Sequence, residues 1–483
     1  MLHDALTRRR FVRITAGAAA AAVGGGLPFL SSCGDPSGPG AGSRSLLLRP
    51  AELGGTGGSL TAASGVAAIA EGESAGAWLF NGSLPSPTIR ARRGDALAFD
   101  LVNNLPDPTI IHWHGILVPA VADGHPRSAI AAGATFQYEF PVIQRAGTYW
   151  YHPHAHHRTG EQIHRGLAGF FIVSDAEEDA LQLPSGAQEI LVLLQDRDSA
   201  AANALSYAPS EADLHAGMLR GTPFGNGVRL PAVEVAGGCY RFRLVNGSHA
   251  RVYRIGLESG APLTVIGNDG GLLPAAVEAS TVWLGVGERI DFLIDFTSVE
   301  PGRRTMLRSL AFDVPGMPGK FPQGMELDLL EITRIEGSVS GMPQLPPALS
   351  AVAPLGAPAR DRTFEFRSSP GEEMHRINGL AFDMDRVDAM VPFGETERWI
   401  FRNDSTLPHP VHLHGTQFQI VSRTGGRGMV LPYEAGWKDT ALVMPEETAE
   451  ALVRFDAYRG VFLLHCHNLQ HEDMGMMMNI EVV

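Results

Sequence analysis

Three copies of one short pattern, set at domain-length intervals, constrain this chain more than any other feature. Gly94 is followed by Phe99, Leu101 and Asn103, Gly237 by Phe242, Leu244 and Asn246, and Gly394 by Trp399, Phe401 and Asn403. The offsets of +5, +7 and +9 recur each time, with separations of 143 and 157 residues. Residues two apart share one face of a β-strand, and separations of this size fit one small β-sandwich each. Three homologous β-domains are therefore expected in the 483 residues, in line with about 150 residues per domain. The 56 glycines and 33 prolines supply turns for an all-β chain. Short alternating runs such as Ile290–Phe296 and Ala451–Phe455 read as strands, and long amphipathic helical patterns are few.

Composition breaks set the boundaries. An acidic stretch over 175–188, ending in Leu-Pro-Ser-Gly, separates a first domain (46–178) from a second (186–336). Residues 337–360 hold Pro343, Pro346, Pro347, Pro354 and Pro358 and read as a linker to a third domain (361–483). A net charge of −14 leaves no basic footprint for nucleic acid. The three cysteines, Cys33, Cys239 and Cys466, are far apart and do not form a disulfide framework.

The first 33 residues read as an export signal. Thr7-Arg8-Arg9-Arg10-Phe11-Val12-Arg13 matches a twin-arginine pattern, and a weakly apolar Ala/Gly run follows. Leu30-Ser31-Ser32-Cys33 resembles a lipobox, which would lipidate Cys33 and attach the chain to a membrane; cleavage nearby by an ordinary peptidase is the alternative. Residues 34–45 are rich in Gly, Pro and Ser and read as a flexible tether. A periplasmic or cell-envelope location follows as an expectation, with the twin-arginine machinery as the export partner.

The histidines carry the chemistry. Random placement of 18 histidines in 483 residues gives about 0.7 His-x-His pairs; five occur, at 112/114, 152/154, 154/156, 412/414 and 465/467. Near the end of the chain, Cys466 stands between His465 and His467, with His471 and Met476 after it. Two imidazoles, a thiolate and a weak thioether make up a blue-copper ligand set. Neighbours on a strand point to opposite faces. Cys466 and His409 can thus share a site inside the third domain, while His412, His414, His465 and His467 face outward. His112, His114, His152 and His154 of the first domain mirror them, giving eight imidazoles for an interdomain cluster of several metals. Of the second domain's histidines, His215 and His249 read as isolated structural or surface residues.

The motifs HWHG (112–115), HPH (152–154), HPVHLHG (409–415) and HCHNLQHEDMGM (465–476), in that order, resemble those of three-domain multicopper oxidases of the bacterial laccase and copper-efflux oxidase type. Asn268-Asp269-Gly270-Gly271 and Gly436-Trp437-Lys438-Asp439-Thr440 also match, and the likeness spans about 46–483. The resemblance implies three consecutive cupredoxin-like Greek-key β-sandwiches, four copper ions, dioxygen and a small reducing substrate as partners, and a monomer. It implies that His409, Cys466, His471 and Met476 bind type 1 copper, that His112 and His412 bind type 2, and that His114, His152, His154, His414, His465 and His467 bind the type 3 pair. Asp123 and Glu472 match acidic positions that deliver protons; orienting the ligands is their alternative role.

The donor is less constrained. The copper-efflux branch places an acid and a methionine before HPxHxHG, where this chain has Ser405 and Leu407. It also carries a Met-rich insert, whereas 310–345 here holds only Met317, Met325 and Met342. Both departures favour a laccase-like enzyme with a more open type 1 edge, acting on phenols, aromatic amines or redox dyes, over a cuprous oxidase. Copper-free envelope proteins of this fold typically lose ligands, and none is lost here.

Overall fold

A computed structural model of the chain describes residues 44–200, 204–314, 322–368 and 374–483. The signal, Cys33 and all but the last two residues of the expected tether lie outside the described residues. Its regular structure is mostly strand, arranged as six sheets. The four α-helices among the described residues have four to six residues each.

The sheets pair along the chain. In the first domain a four-stranded sheet, with Ala96–Asn104 beside Gly57–Ala70, closes a core with a five-stranded sheet that ends in Gly147–Pro153 and Ile111–His114. In the second, a seven-stranded sheet through Cys239–Asn246 and Arg289–Asp295 packs on a six-stranded sheet. In the third, the five-stranded sheet holding Glu397–Asn403 faces another in which Gly460–Cys466 lies between Met477–Val482 and His409–Leu413.

The three repeated strands run through these cores. Phe99, Leu101, Phe242, Leu244, Trp399 and Phe401 are all buried, each stabilising its domain by about 1.5–3 kcal/mol. The repeated asparagine has a distinct role, performed alike three times. Asn103 Nδ2 donates to the carbonyls of Asp107 (2.9 Å) and Ile130 (3.0 Å) while its Oδ1 accepts from Leu105 N–H (3.0 Å). Asn246 does the same with Arg251 (2.8 Å), Leu284 (2.9 Å) and Ser248 (3.1 Å). Asn403 does so with Leu407 (2.7 Å), Val443 (3.0 Å) and Ser405 (2.9 Å). Each asparagine closes the turn that follows its strand. In the third copy that turn delivers the chain directly to His409.

Two stretches differ from the expected boundaries. Ser45–Leu46 is a strand paired in parallel with Pro231–Gly237 of the second domain, so the tether does not extend through residue 45. Leu47 continues this contact, its side chain packing on the second domain's core. Of the Leu46-Leu47-Leu48 run only Leu47 turns inward, and Leu46 and Leu48 are exposed. The linker is also ordered: Leu349 is buried beside Cys239 and Ile266, and Ser350 Oγ lies 3.0 Å from the Leu272 and Leu273 carbonyls.

Asn246→Leu leaves two buried carbonyls and one N–H without partners. It is expected to cost about 1–3 kcal/mol, lowering the melting temperature of the copper-loaded protein by roughly 2–10 °C. An unchanged melting curve would show the asparagine lock to be dispensable.

Candidate metal centre

Register brings the first and third domains' histidines side by side before any metal is considered. His112 pairs across the strands with His152, and His412 with His465. Val411 pairs with Cys466 one step along, which puts the thiol in the third domain's interior and the flanking imidazoles on the outer face. The eight imidazoles meet between the two domains, none more than 1% exposed.

They divide into a pair and two triads. His112 Nδ1 donates to the Asp123 carbonyl (2.7 Å) and His412 Nδ1 to the Asp439 carbonyl (2.9 Å). Both Nε2 lone pairs are thereby turned on one another at 3.2 Å. Such an approach repels unless a cation or proton lies between them. One triad is His154, His414 and His465, and the other is His114, His152 and His467, with ligand atoms inside each triad within 4.8 Å of one another. His114 also lies within that range of the pair. His414 Nε2 is 3.1 Å from His465 Nε2, and His465 Nδ1 donates to the Cys466 carbonyl at 3.1 Å. His114 is turned the other way: its Nε2 donates to Asp439 Oδ1 (3.1 Å), which points Nδ1 at His152 Nε2 (3.5 Å). Neither ring nitrogen of His467 has a hydrogen-bond partner although the ring is buried. Burial, reinforced by the neighbouring imidazoles, pushes all eight below the usual histidine range, to about 3 for His152 and His465. Eight neutral imidazoles with converging lone pairs fit divalent or monovalent copper.

Inside the third domain, His409 Nδ1 lies 3.3 Å and His471 Nδ1 3.6 Å from Cys466 Sγ. The far edges are fixed: His409 Nε2 is bound to Ser405 Oγ (2.8 Å) and His471 Nε2 donates to the His215 carbonyl (3.0 Å). Asn468 N–H points at the sulfur at 3.5 Å. Met476 is buried in the same core as Cys466, and its backbone accepts from Cys466 N–H (3.1 Å) and donates to the His471 carbonyl (2.9 Å). Burial raises the thiol's pKa, so a metal must displace its proton to bind.

The two acids lie at the cluster. Asp123 Oδ2 accepts from His414 Nδ1 at 2.7 Å. Glu472 Oε1 is 3.6 Å from His154 Nε2 and Oε2 is 3.4 Å from His465 Nδ1. Burial raises the pKa of both carboxyls well above the usual range. All fourteen expected site residues thus fall in two adjoining sites.

Three features were not read from the sequence. His375 stacks on His471 with ring centroids 3.9 Å apart, and its Nε2 donates to the Leu214 carbonyl (2.9 Å). Helix Glu211–Ala216, started by a Ser210/Asp213 capping box, lies over this edge, and beneath it His471 is fully buried. His215 and His249 are likewise not isolated. The His215 carbonyl caps His471, and buried His249 bonds His164 (3.0 Å) and Gln470 (2.8 Å). No motif marks these contacts, because each joins residues more than 80 apart.

A buried multi-histidine centre split between two β-sandwiches defines a metalloprotein that holds several soft-accepting ions together. Sequence profiles described as "Multicopper oxidase" match residues 61–178 and 354–483. A laccase from Bacillus stratosphericus is 31% identical over 469 residues, 84% of this chain and 90% of that protein. Cell division protein FtsP of Xenorhabdus nematophila is 33% identical over 384 residues, 78% of each. The crystal structure of the McoA multicopper oxidase from Aquifex aeolicus superposes with a TM-score of 0.83 at 32% identity, covering 91% of this chain and 99% of that one. The chain belongs to the multicopper oxidase family: it is a copper-binding oxidoreductase that uses dioxygen and a reducing substrate.

The metal-free protein should lose stability as pH falls below about 6.5. The unfolded chain then binds protons that the buried, low-pKa imidazoles refuse, so it binds more protons than the folded state and stability rises with pH. Melting temperatures of metal-free protein between pH 7.5 and 5 should therefore fall steeply on acidification. A flat profile would mean that the imidazoles are not held neutral.

Proposed function

We propose that the chain is a laccase-like oxidase with four coppers. His409, Cys466, His471 and Met476 would hold a type 1 ion, His112 and His412 a type 2 ion, and the two histidine triads a type 3 pair. When bound, copper supplies one-electron acceptance at the thiolate site and four-electron reduction of dioxygen to two waters at the trinuclear site. The division of eight imidazoles into one pair and two triads, one residue from a buried thiol, carries this reading.

Cys466 links the two sites through its own backbone, since His465 and His467 are its covalent neighbours. Electrons taken near His471 then need no through-space step to reach either triad. The Glu472 and Asp123 carboxyls, whose pKa burial raises, lie beside His154, His465 and His414, which suits them to hand protons to reduced oxygen.

Phenols and aromatic amines are the proposed donors. Ser405 is committed to His409, and Leu407 is buried. Neither offers the ligand that a cuprous site would need. The helix over His471 limits such donors to electron transfer across one layer of backbone. A second reading is a copper-free envelope protein of the same fold, for which the likeness to a cell division protein is a minor hint; the intact set of twelve donor residues favours the first. The twin-arginine pattern and lipobox support export to the periplasm or envelope, with Cys33 as a lipid anchor.

Copper-loaded protein should show the blue thiolate charge-transfer colour and consume oxygen faster with a phenol than with Cu(I). Colourless protein without oxygen uptake would leave the envelope reading, and faster Cu(I) oxidation would reassign the donor. Glu472→Gln and Asp123→Ala should each slow oxygen uptake by roughly 10²–10⁴-fold while donor still bleaches the blue colour. Unchanged turnover and pH profile would remove the proton role.

A further inference from the structure

The middle domain carries none of the proposed ligands, yet it inserts one cation into the centre. Arg289 opens the strand Arg289–Asp295 and is fully buried. Its Nε donates to the Thr148 carbonyl of the first domain at 3.0 Å. Nη1 and Nη2 donate to the Gly287 (3.0 Å) and Asp269 (2.8 Å) carbonyls of its own domain. The same two nitrogens grip Asp439 of the third domain, at 2.6 Å to Oδ1 and 2.5 Å to Oδ2. One planar fork thus ties three domains together, a geometry only arginine supplies.

Asp439 carries the connection into the cluster. Oδ1, held by Arg289, also accepts from His114 Nε2 (3.1 Å) and the Thr440 hydroxyl (2.9 Å), and the Asp439 carbonyl accepts from His412 Nδ1 (2.9 Å). Asp439 therefore touches one ligand from each metal-bearing domain. Space around the pair is reserved by glycine: a Cβ on Gly115 would lie 2.5 Å from Asp439 Oδ2 and 2.6 Å from Arg289 Nη2.

We propose that Arg289 is a positioning residue for the trinuclear site: by clamping Asp439 it fixes the ring of His114, so that Nδ1 faces His152 and His467, and it sets the carbonyl that orients His412. A buried ion pair that merely joins domains contributes little net stability. The Arg423 network with Glu434 (2.6 Å) and Glu447 (3.0 Å) is a buried charge cluster within the third domain, and it bonds none of the histidine ligands. What distinguishes Arg289 is that its carboxylate partner is itself hydrogen-bonded to an imidazole of the cluster.

The proposal rests on the four-copper reading above, and its test separates the two. Copper-loaded parent, Arg289→Lys, Arg289→Met and, as a control, Arg423→Lys would be compared by copper content, blue absorbance, the type 2 paramagnetic resonance signal and chelator competition. Loss of such an outer partner weakens metal binding about 10–100-fold. Arg289→Met should keep the blue colour, alter the type 2 signal and release trinuclear copper about 10–100-fold more readily. Arg289→Lys should recover part of that loss, and Arg423→Lys should lower the melting temperature with the type 2 signal unchanged. Both Arg289 variants matching the parent in signal and copper retention would overturn the proposal. Insoluble protein from both would assign Arg289 to the fold and overturn it too. A parent that loads no copper on the eight imidazoles would instead sink the four-copper reading itself.

Discussion

Holding eight imidazoles neutral and uncovered by hydrogen bonds, inside protein, is the constraint on which the rest depends. Buried polar groups normally find partners, and an imidazole in water near neutrality is close to protonation. Here His467 has no partner on either nitrogen, whereas other outer nitrogens are satisfied: His112 by the Asp123 carbonyl, His412 by the Asp439 carbonyl, His414 by the Asp123 carboxylate, His465 by the Cys466 carbonyl. What is left faces inward without a partner. The sandwiches contribute rigidity, because a ligand on a strand next to a paired strand has little freedom to turn away from its neighbours.

Splitting the centre between two domains explains why a third is present. First and third domains could meet at many angles through their outer sheet faces alone. The middle domain narrows this to one, through buried charge and close backbone approach. Lys438 of the third domain pairs with Asp269 (2.7 Å) and Glu288 (3.2 Å) of the second. Gly287 has φ +85° and leaves no space for a side chain, since a Cβ would stand 3.0 Å from the rings of His114 and His467. A domain without ligands therefore sets the distance between those that have them.

Much of this was legible in the sequence, for identifiable reasons. The repeated strand showed because three cores need the same buried face, and its asparagine recurred because three turns need the same lock. The metal centre showed because strand parity turns a short motif into a face: alternate residues at 465–467 serve two sites, and His-x-His pairs line one. The remainder depends on contacts that no local spacing encodes. His375 meets His471 across 96 positions, and Arg289 meets Asp439 across 150. Ser45–Leu46 finds its partner strand in the second domain because an open sheet edge accepts a strand wherever the chain can reach it. The more open type 1 edge was expected from Ser405 and Leu407 and from the few methionines at 310–345. A segment from elsewhere in the chain, around Glu211–Ala216, lies over His471, a contact that neither feature encodes.

That cover bears on donor choice more than the metal ligands do. His471 has spent its outer nitrogen on the His215 carbonyl, so no donor can hydrogen-bond to it while the helix stays in place. The helix is short; besides its capping box it is held by an Arg220–Asp213 ion pair (2.8 and 3.0 Å), by the His215 and Leu214 carbonyls with His471 and His375, and by the Ala216 carbonyl with Asn468 (3.4 Å). On the proposed reading, an electron would pass from the partly exposed His215 region through backbone and the stacked His375 and His471 rings to Cys466. Such a path depends on a donor's potential and its fit to the outer surface more than on groups that could bind the ligand directly. On the proposed reading, the residues that choose the donor are those that keep it one layer away from the thiolate.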